Sequence, residues 1–403
     1  MTMIECILGT ILVIDDNPVN LQMLCSLLKK QGYAVIEANE GRNGLKLAFE
    51  KQPDLILLDI VMPGLDGYEV CRRLKADAVI CSIPVLMVSG EHDVLAKVRC
   101  FDLGAADYIT KPYNHEEILA RIRTHLQLRQ LSENLQNAND SLRQKQQQLD
   151  QDMKAAAEIQ MALLPKNFPD TDKVDFSFAF NPCNRIGGDL FNVQRLDQDH
   201  LGIYVLDVSG HGVSAAMLTA LVHQAMLPQG GKVKQITMEE PYYRLPSPVE
   251  VHEALETAFP MDRFERYFTM AYLLLNFKDG RFSYSCAGHP PIIHMRKNGE
   301  IIRHHKGGVM IGAGDLNGPR EEGQGQLQNG DRLIFFTDGI LENEDVQGNI
   351  FGLDNLEHLL TDSRHLELDT IPTVLMQNLQ TFCGMCKFQD DIAFLVLEFT
   401  GEI

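Results

Sequence analysis

The chain has 403 residues, with 55 acidic and 36 basic side chains and a formal net charge of −19. At roughly 150 residues per domain, that length suggests two or three domains, and 45% hydrophobic with 23% charged residues is ordinary globular composition. The negative balance argues against a nucleic-acid backbone as the main partner, because such binding needs a basic face. No stretch approaches the roughly 18 uninterrupted apolar residues of a membrane helix. The start, MTMIECILGTILVIDD, has no basic leader and runs straight into acids, so it reads as a strand rather than a signal peptide. Nine scattered cysteines fit reduced thiols in a cytoplasm. Cys383 and Cys386 have CxxC spacing, but no second pair exists to complete a zinc site.

In chain order, residues 8–125 alternate short apolar runs (TILVIDD, AVIEA, DLILLDI, IPVLMVSG, ADYITKP) with amphipathic stretches such as Leu21, Leu24, Leu27 and Leu28. Five strand–helix alternations imply an α/β doubly wound fold with a five-stranded parallel sheet. Residues 126–163 change character: they hold neither Gly nor Pro and are rich in Gln, Leu, Asn and Arg. Every seventh residue from Leu128 gives Leu135, Leu142, Leu149, Ala156 and Leu163, beside a second series of Leu131, Ala138, Lys145, Asp152 and Ile159. That is a heptad pattern with two polar interruptions, and it predicts a coiled-coil linker helix through which the chain forms a homodimer. Residues 164–403 then become β-rich, with VDFSFAFNP, HLGIYVLDVSG, FTMAYLLLNF, RFSYSCAGHPPII, RLIFFTDG and DIAFLVLEF as strand candidates. Helical patterns fall around Ser214–Met226, Pro248–Ala258 and Leu353–Leu360, and 228–248 reads as a loop or insertion. This third segment is a mixed α+β domain.

Asp15 and Asp16 follow the first apolar run and Asp59 ends the third, so three carboxylates converge at neighbouring strand ends. Like charges that close call for a hard divalent cation such as Mg²⁺. Ser89 ends the fourth run and Lys111 follows the fifth, a hydroxyl and an ammonium suited to phosphoryl oxygens. With Met62-Pro63-Gly64 and Lys111-Pro112, these residues resemble the CheY-like receiver domain of two-component response regulators. The resemblance implies that Asp59 accepts a phosphoryl group from a histidine kinase. It also implies that Asp16, Asp59 and the Val61 carbonyl hold Mg²⁺ with Asp15 nearby, and that Ser89 and Tyr108 act as the switch pair.

In the third segment Asp189 (RIGGDLFNV), Asp207 (IYVLDVSGHG), Asp338 (LIFFTDGILE) and Asp390-Asp391 (FQDDIAFLV) are read as closing apolar strands. Carboxylates at several strand ends without a matching basic set suggest two hard cations, which can bind phosphate and activate water. Ser209 and Ser285 lie in Gly-flanked turns, but neither forms a GxSxG elbow. The set GGD, DVSGHG, AGHPP, TDG and DD, preceded by AEIQMALLP, resembles the PPM family of Mg²⁺/Mn²⁺-dependent Ser/Thr protein phosphatases in its SpoIIE- and RsbU-like branch. That implies a β-sandwich flanked by helices. It also implies two Mn²⁺ or Mg²⁺ ions on Asp207, the Val208 carbonyl, Asp338 and Asp390, with Asp189 supporting and Asp391 binding or capping. His211 is displaced from the eukaryotic DGHG position and is assigned no general-acid role, His289 is expected to be structural, and Arg185 stands where it could meet phosphate.

A phosphoacceptor, a heptad helix and a phosphatase in that order suggest a signal converter in which Asp59 phosphorylation controls hydrolysis. The resemblance implies as substrate a phosphorylated STAS-type anti-sigma-factor antagonist. The rival from another class is a receiver–pseudophosphatase adaptor binding a sigma or anti-sigma factor; the intact aspartate set favours catalysis. A DNA-binding regulator finds no support, since no basic recognition helix appears.

Overall fold

The computed structural model describes residues 8–90, 94–112, 114–183, 186–210, 212–313, 318–384 and 387–401. The chain divides into two compact units, residues 1–146 and 147–403, and the division falls inside one helix.

The first unit runs β1 (Thr10–Ile14), α1 (Pro18–Lys30), β2 (Ala34–Ala38), α2 (Gly41–Lys51), β3 (Leu55–Asp59), α3 (Gly67–Ala76), β4 (Val85–Ser89), α4 (Val94–Asp102), β5 (Asp107–Thr110) and α5 (His115–Met161). Its strands are parallel in the order β2-β1-β3-β4-β5. The two-residue period of a strand divides the core into two layers. Leu12, Ile14, Ile56 and Leu58 pack with Ala48, Val70 and Leu74 on one face; Ile11, Val13, Leu55 and Leu57 pack with Leu24, Leu28, Ile118 and Ile122 on the other. With both faces covered, β1, β3 and β4 read as continuous apolar runs, as buried parallel strands must.

Helix α5 is 47 residues long without a break. Ile118 and Ile122 in its first turns are buried. Farther along, Leu128, Leu135, Leu142 and Leu149 of the first heptad series and Leu131 of the second are each more than half exposed on the single chain.

The second unit continues with β6 (Val174–Asn181), β7 (Leu190–Arg195), β8 (His200–Val208), α6 (Val213–Met226), β9 (Gln235–Ile236), β10 (Tyr243–Arg244), α7 (Pro248–Ala258), α8 (Met261–Phe264), β11 (Phe268–Asn276), β12 (Arg281–Ala287), β13 (Ile292–Met295), β14 (Ile301–His304), β15 (Gly307–Gly308), β16 (Gly323–Gln326), β17 (Asp331–Phe336), α9 (Gly352–Asp362), α10 (Ile371–Phe382) and β18 (Ile392–Phe399). Two sheets result: β15-β12-β11-β8-β7, with β16 on β12, and β14-β13-β17-β18-β6. Alternation again sorts the side chains. Leu333, Phe335, Leu395 and Leu397 join the core shared with the first sheet and with α6 and α7, while Ile334, Phe336, Phe394 and Val396 pack under α9 and α10.

Outside 228–248, four strands and one long helix go beyond the sequence expectation. β7 carries Asn192 and Gln194 in buried positions, so its pattern lacks a clean apolar face. β16 is GQGQ, a poor strand by propensity; its Gly323 and Gly325 lie opposite Tyr284 and Phe282, whose rings occupy the space side chains would need. α10 opens on Ile-Pro-Thr-Val, and β14 and β15 are short. The 228–248 segment is more ordered than a loop: a 3-10 turn at Pro228–Gly230 leads into the β9–β10 hairpin.

α7 begins with a complete capping box, Ser247 accepting from the Glu250 amide and Glu250 accepting from the Ser247 amide. Its His252 is fully buried, and neither ring nitrogen has a protein hydrogen-bond partner. Burial pushes this imidazole from 6.5 down to about 3. A histidine depressed in this way favours folding fully above its unfolded pKa and progressively less as pH falls toward the folded value. We expect His252→Leu to raise the urea midpoint at pH 7, because an unpaired polar group gives way to an apolar one. Between pH 6.5 and 5 the variant should lose about 2 kcal/mol less than the parent. Parallel pH slopes for the two proteins would contradict this account.

Candidate functional sites

In the first unit the turn from β1 into α1 places Asp15 and Asp16 beside the end of β3. The Asn17 amide donates to Asp15 Oδ1 at 2.8 Å, and the Asn17 side chain caps α1 by accepting from the Val19 and Asn20 amides. Carboxylate oxygens of Asp15, Asp16 and Asp59 lie within 4.8 Å of one another, a group able to hold a cation. Lys111 Nζ reaches Asp15 Oδ2 at 3.2 Å and Asp59 Oδ2 at 3.0 Å. Burial and the neighbouring Asp15 charge raise the Asp59 pKa, while Lys111 pulls it back. Asp59 Oδ1 also accepts from the Ile60 amide. The loop behind it folds back tightly: a Cβ at Gly67 would lie 2.2 Å from the Asp59 carbonyl oxygen, so only glycine fits there. Ser89 and Tyr108 are buried on β4 and β5, Lys97 Nζ stands 5.4 Å from the Tyr108 ring centre, and the Val61 side chain is exposed.

In the second unit the aspartates do not all close strands, as the sequence reading expected. Asp207 lies near the end of β8 and Asp338 follows β17, but Asp189 precedes β7 and Asp390-Asp391 precede β18. Antiparallel pairing brings starts and ends to one edge: β7 and β8 align Leu190 with Leu206, and β17 and β18 align Phe336 with Phe394. The neighbouring charges that act on the three inner carboxylates are carboxylates. Burial, then Asp207 and Asp391, pushes the Asp189 pKa well up. Asp207 rises to about 7 through burial and Asp338, and Asp338 to about 6 through burial, Glu342 and Asp390. Asp189 Oδ2 is buried with no protein hydrogen-bond partner. An orphaned anionic oxygen among other carboxylates fits a hard cation, and the donor set is all oxygen.

Asp391 lies with Asp390 and Cys183 in a group whose ligand atoms are within 4.8 Å of one another, and it also holds backbone amides. Its Oδ1 accepts from the Cys183 amide at 2.9 Å and its Oδ2 from the Gly188 amide at 2.7 Å. It therefore staples the GGD loop to the start of β18. The fit demands glycine: a Cβ at Gly187 would lie 2.0 Å from Asp391 Oδ2, and one at Gly188 would lie 2.5 Å from the Val208 carbonyl. Thr219 on α6 donates to the Gly188 carbonyl at 2.6 Å. Gln160, one residue from the end of α5 and buried, holds the same loop from the other side. Its Nε2 donates to the Gly187 carbonyl at 2.7 Å, and its Oε1 accepts from the Gly187 amide at 3.0 Å.

The family model for Stage II sporulation protein E (SpoIIE) matches residues 197–400, half of the chain. The chain belongs to the SpoIIE family. A response regulator receiver domain model matches residues 11–123. Among solved structures, the SiaA-PP2C domain of Pseudomonas aeruginosa is similar at TM-score 0.52 and 18% identity, over 63% of this chain and 98% of that one, a likeness of fold. Among curated relatives, the DNA-binding dual master transcriptional regulator RpaA of Synechocystis sp. is 45% identical over 116 residues, 29% of this chain. The chain spans about half (48%) of that protein's length. Protein PilH of Pseudomonas aeruginosa is 40% identical over 119 residues, 30% of this chain and 98% of PilH. The chain thus joins a response-regulator receiver domain to a SpoIIE-type protein phosphatase domain.

Of the residues singled out in the sequence, Arg185, His211 and Cys386 lie outside the described residues. Asp189, Asp207, Asp338 and Asp390 share one edge of the SpoIIE-type domain, with Val208 beside them. Three contributors escaped the sequence reading. Gln160 looks like any helix glutamine, and its clasp is set by a loop 27 residues away. Glu342 follows Asp338 by one helical turn and faces it; with Glu344, Gln389 and Asp390 it lines a cavity of about 380 Å³. Arg266 donates to the Ser209 carbonyl and to Ser214 Oγ, closing over the loop that follows Asp207. Glu342 left a signal as the acid of TDGILE, and Gln160 as the glutamine of AEIQMALLP. Among the described residues no helix is long and apolar enough to cross a membrane.

Proposed function

We propose that the second unit hydrolyses phosphoserine or phosphothreonine on a protein in a metal-dependent reaction, and that a phosphoryl group on Asp59 controls it. The observation that carries this reading is the crowding of Asp189, Asp207, Asp338 and Asp390, with raised pKa values at the inner three and one orphaned oxygen. Such a set stays ionised only around cations. Asp207, the Val208 carbonyl, Asp338 and Asp390 would hold two Mn²⁺ or Mg²⁺ ions, with Asp189 supporting them. When bound, the ions would neutralise phosphate oxygens and acidify water enough to attack phosphorus at neutral pH. The protein's own part is to fix carboxylates from two different sheets at one edge and to hold the GGD loop between Asp391, Thr219 and Gln160.

In the receiver, Asp59 takes the phosphoryl group from a histidine kinase. Asp16, Asp59 and the Val61 carbonyl would hold Mg²⁺ with Asp15 adjacent, and Lys111 would neutralise phosphoryl oxygens. Ser89 and Tyr108 respond as the switch pair. The signal reaches the phosphatase through α5, whose start is packed in the receiver core and whose end clasps Gly187. The exposed series Leu128 to Leu149 supports a homodimer through 126–163, since burying a leucine is worth roughly 2 kcal/mol. By family resemblance the substrate is a STAS-type anti-sigma-factor antagonist in the cytoplasm.

Two measurements test this. The full chain should hydrolyse p-nitrophenyl phosphate with Mn²⁺ and lose that activity in EDTA; absence of both turnover and Mn²⁺ binding would leave the adaptor reading instead. With Mg²⁺ and beryllofluoride, turnover should change severalfold in the parent and stay constant in Asp59→Asn. Equal rates and unchanged oligomeric state in the parent would refute the coupling.

A further inference from the structure

His289 of the AGHPP segment stands between β11, the neighbour of the strand that carries Asp207, and the end of β17, which Asp338 follows. It follows β12 and is buried. Its Nδ1 lies 2.7 Å from Thr269 Oγ1 on β11. Thr269 is paired in register with Asp207, so the two side chains emerge side by side on one face of the first sheet. The other edge of the ring faces the Phe336 carbonyl on β17, two residues before Asp338, outside full hydrogen-bond geometry.

The two prolines explain why a side chain is used here. β13 pairs Ile293 with Ile334. Continuing that register would place Pro291 opposite Phe336, and a proline has no amide hydrogen to offer. The imidazole edge is turned toward that carbonyl instead, short of a full hydrogen bond. With Nε2 protonated, Nδ1 is left to accept from the Thr269 hydroxyl. Burial holds His289 at about 3, so the ring is neutral and adds no charge that would compete for the carboxylates.

We propose that Thr269 and His289 form a strut that braces β11, paired with the Asp207 strand, against the end of β17, which Asp338 follows, holding the two carboxylates in place for Mn²⁺. Both are positioning residues, and the proposal rests on the metal-centre reading above. The strut links opposite sheets at the edge where the acids repel one another, so removing it lets the acids spread before a cation arrives.

The test is calorimetric titration of the full chain with Mn²⁺, beside the melting temperature of the EDTA-treated protein. Thr269→Val keeps shape and β-branching while removing the hydroxyl. It should weaken Mn²⁺ binding tenfold or more with little change in metal-free melting. His289→Asn, whose Oδ1 can still accept from Thr269, should stay within about threefold of the parent, and His289→Phe should resemble Thr269→Val. If Thr269→Val binds Mn²⁺ within twofold of the parent, or if His289→Asn and His289→Phe are equal, the strut is overturned while the metal centre stands. No Mn²⁺ binding by the parent would overturn both.

Discussion

Asp207→Asn should reduce Mn²⁺-dependent phosphatase turnover about a thousandfold or more, the scale expected when a central electrostatic group is lost. The same change should make the metal-free protein more stable. Burial and the facing Asp338 raise Asp207 to about 7. A carboxylate raised in the folded state favours folding fully below its unfolded pKa, and that contribution disappears as pH rises through the folded value. The metal-free parent should therefore lose stability between about pH 4 and 7, and Asp207→Asn should flatten that slope. Adding Mn²⁺ should raise the melting temperature of the parent and leave the variant's nearly unchanged. A variant that keeps turnover, or a parent whose metal-free stability rises over this window, would remove Asp207 from the centre.

Gln160→Leu should produce the second-largest loss, ten- to a hundredfold in turnover. The side chain fits by volume, but a two-point amide pairing with Gly187 disappears. Two backbone groups of a buried loop are then unpaired, at about 1–3 kcal/mol each. That loop carries Asp189, so the effect should appear in metal affinity as well as in turnover. The receiver should still take up beryllofluoride normally, and turnover should no longer respond to it. A variant that responds like the parent would show that the signal does not pass through this glutamine.

The receiver was legible almost residue by residue because its chemistry sits at local landmarks. Asp59 ends β3, Ser89 ends β4, and Lys111 follows β5, each beside an apolar run the eye can find. Pairing the three parallel strands side by side then brings them together without further information. The phosphatase centre was legible only as a set of acids. Whether Asp189 opens or closes a strand depends on β7, whose Asn192 and Gln194 hide its periodicity. Asp390 and Asp391 are neighbours in sequence, yet one is exposed and the other buried under two backbone amides. Gln160, Thr269 and His289 act through partners 27, 20 and 20 residues away, and no local pattern marks such pairs.

The unbroken 47-residue α5 helix has a mechanical consequence. A helix resists stretching, so a disturbance at Ile118 reaches Gln160 chiefly as a turn, a slide or a bend of the rod. One inserted residue would rotate the heptad positions beyond it by about 100° against those before it. Seven inserted residues would restore the phase to within about 20°. Linker length in this protein is therefore a matter of angle before it is a matter of distance.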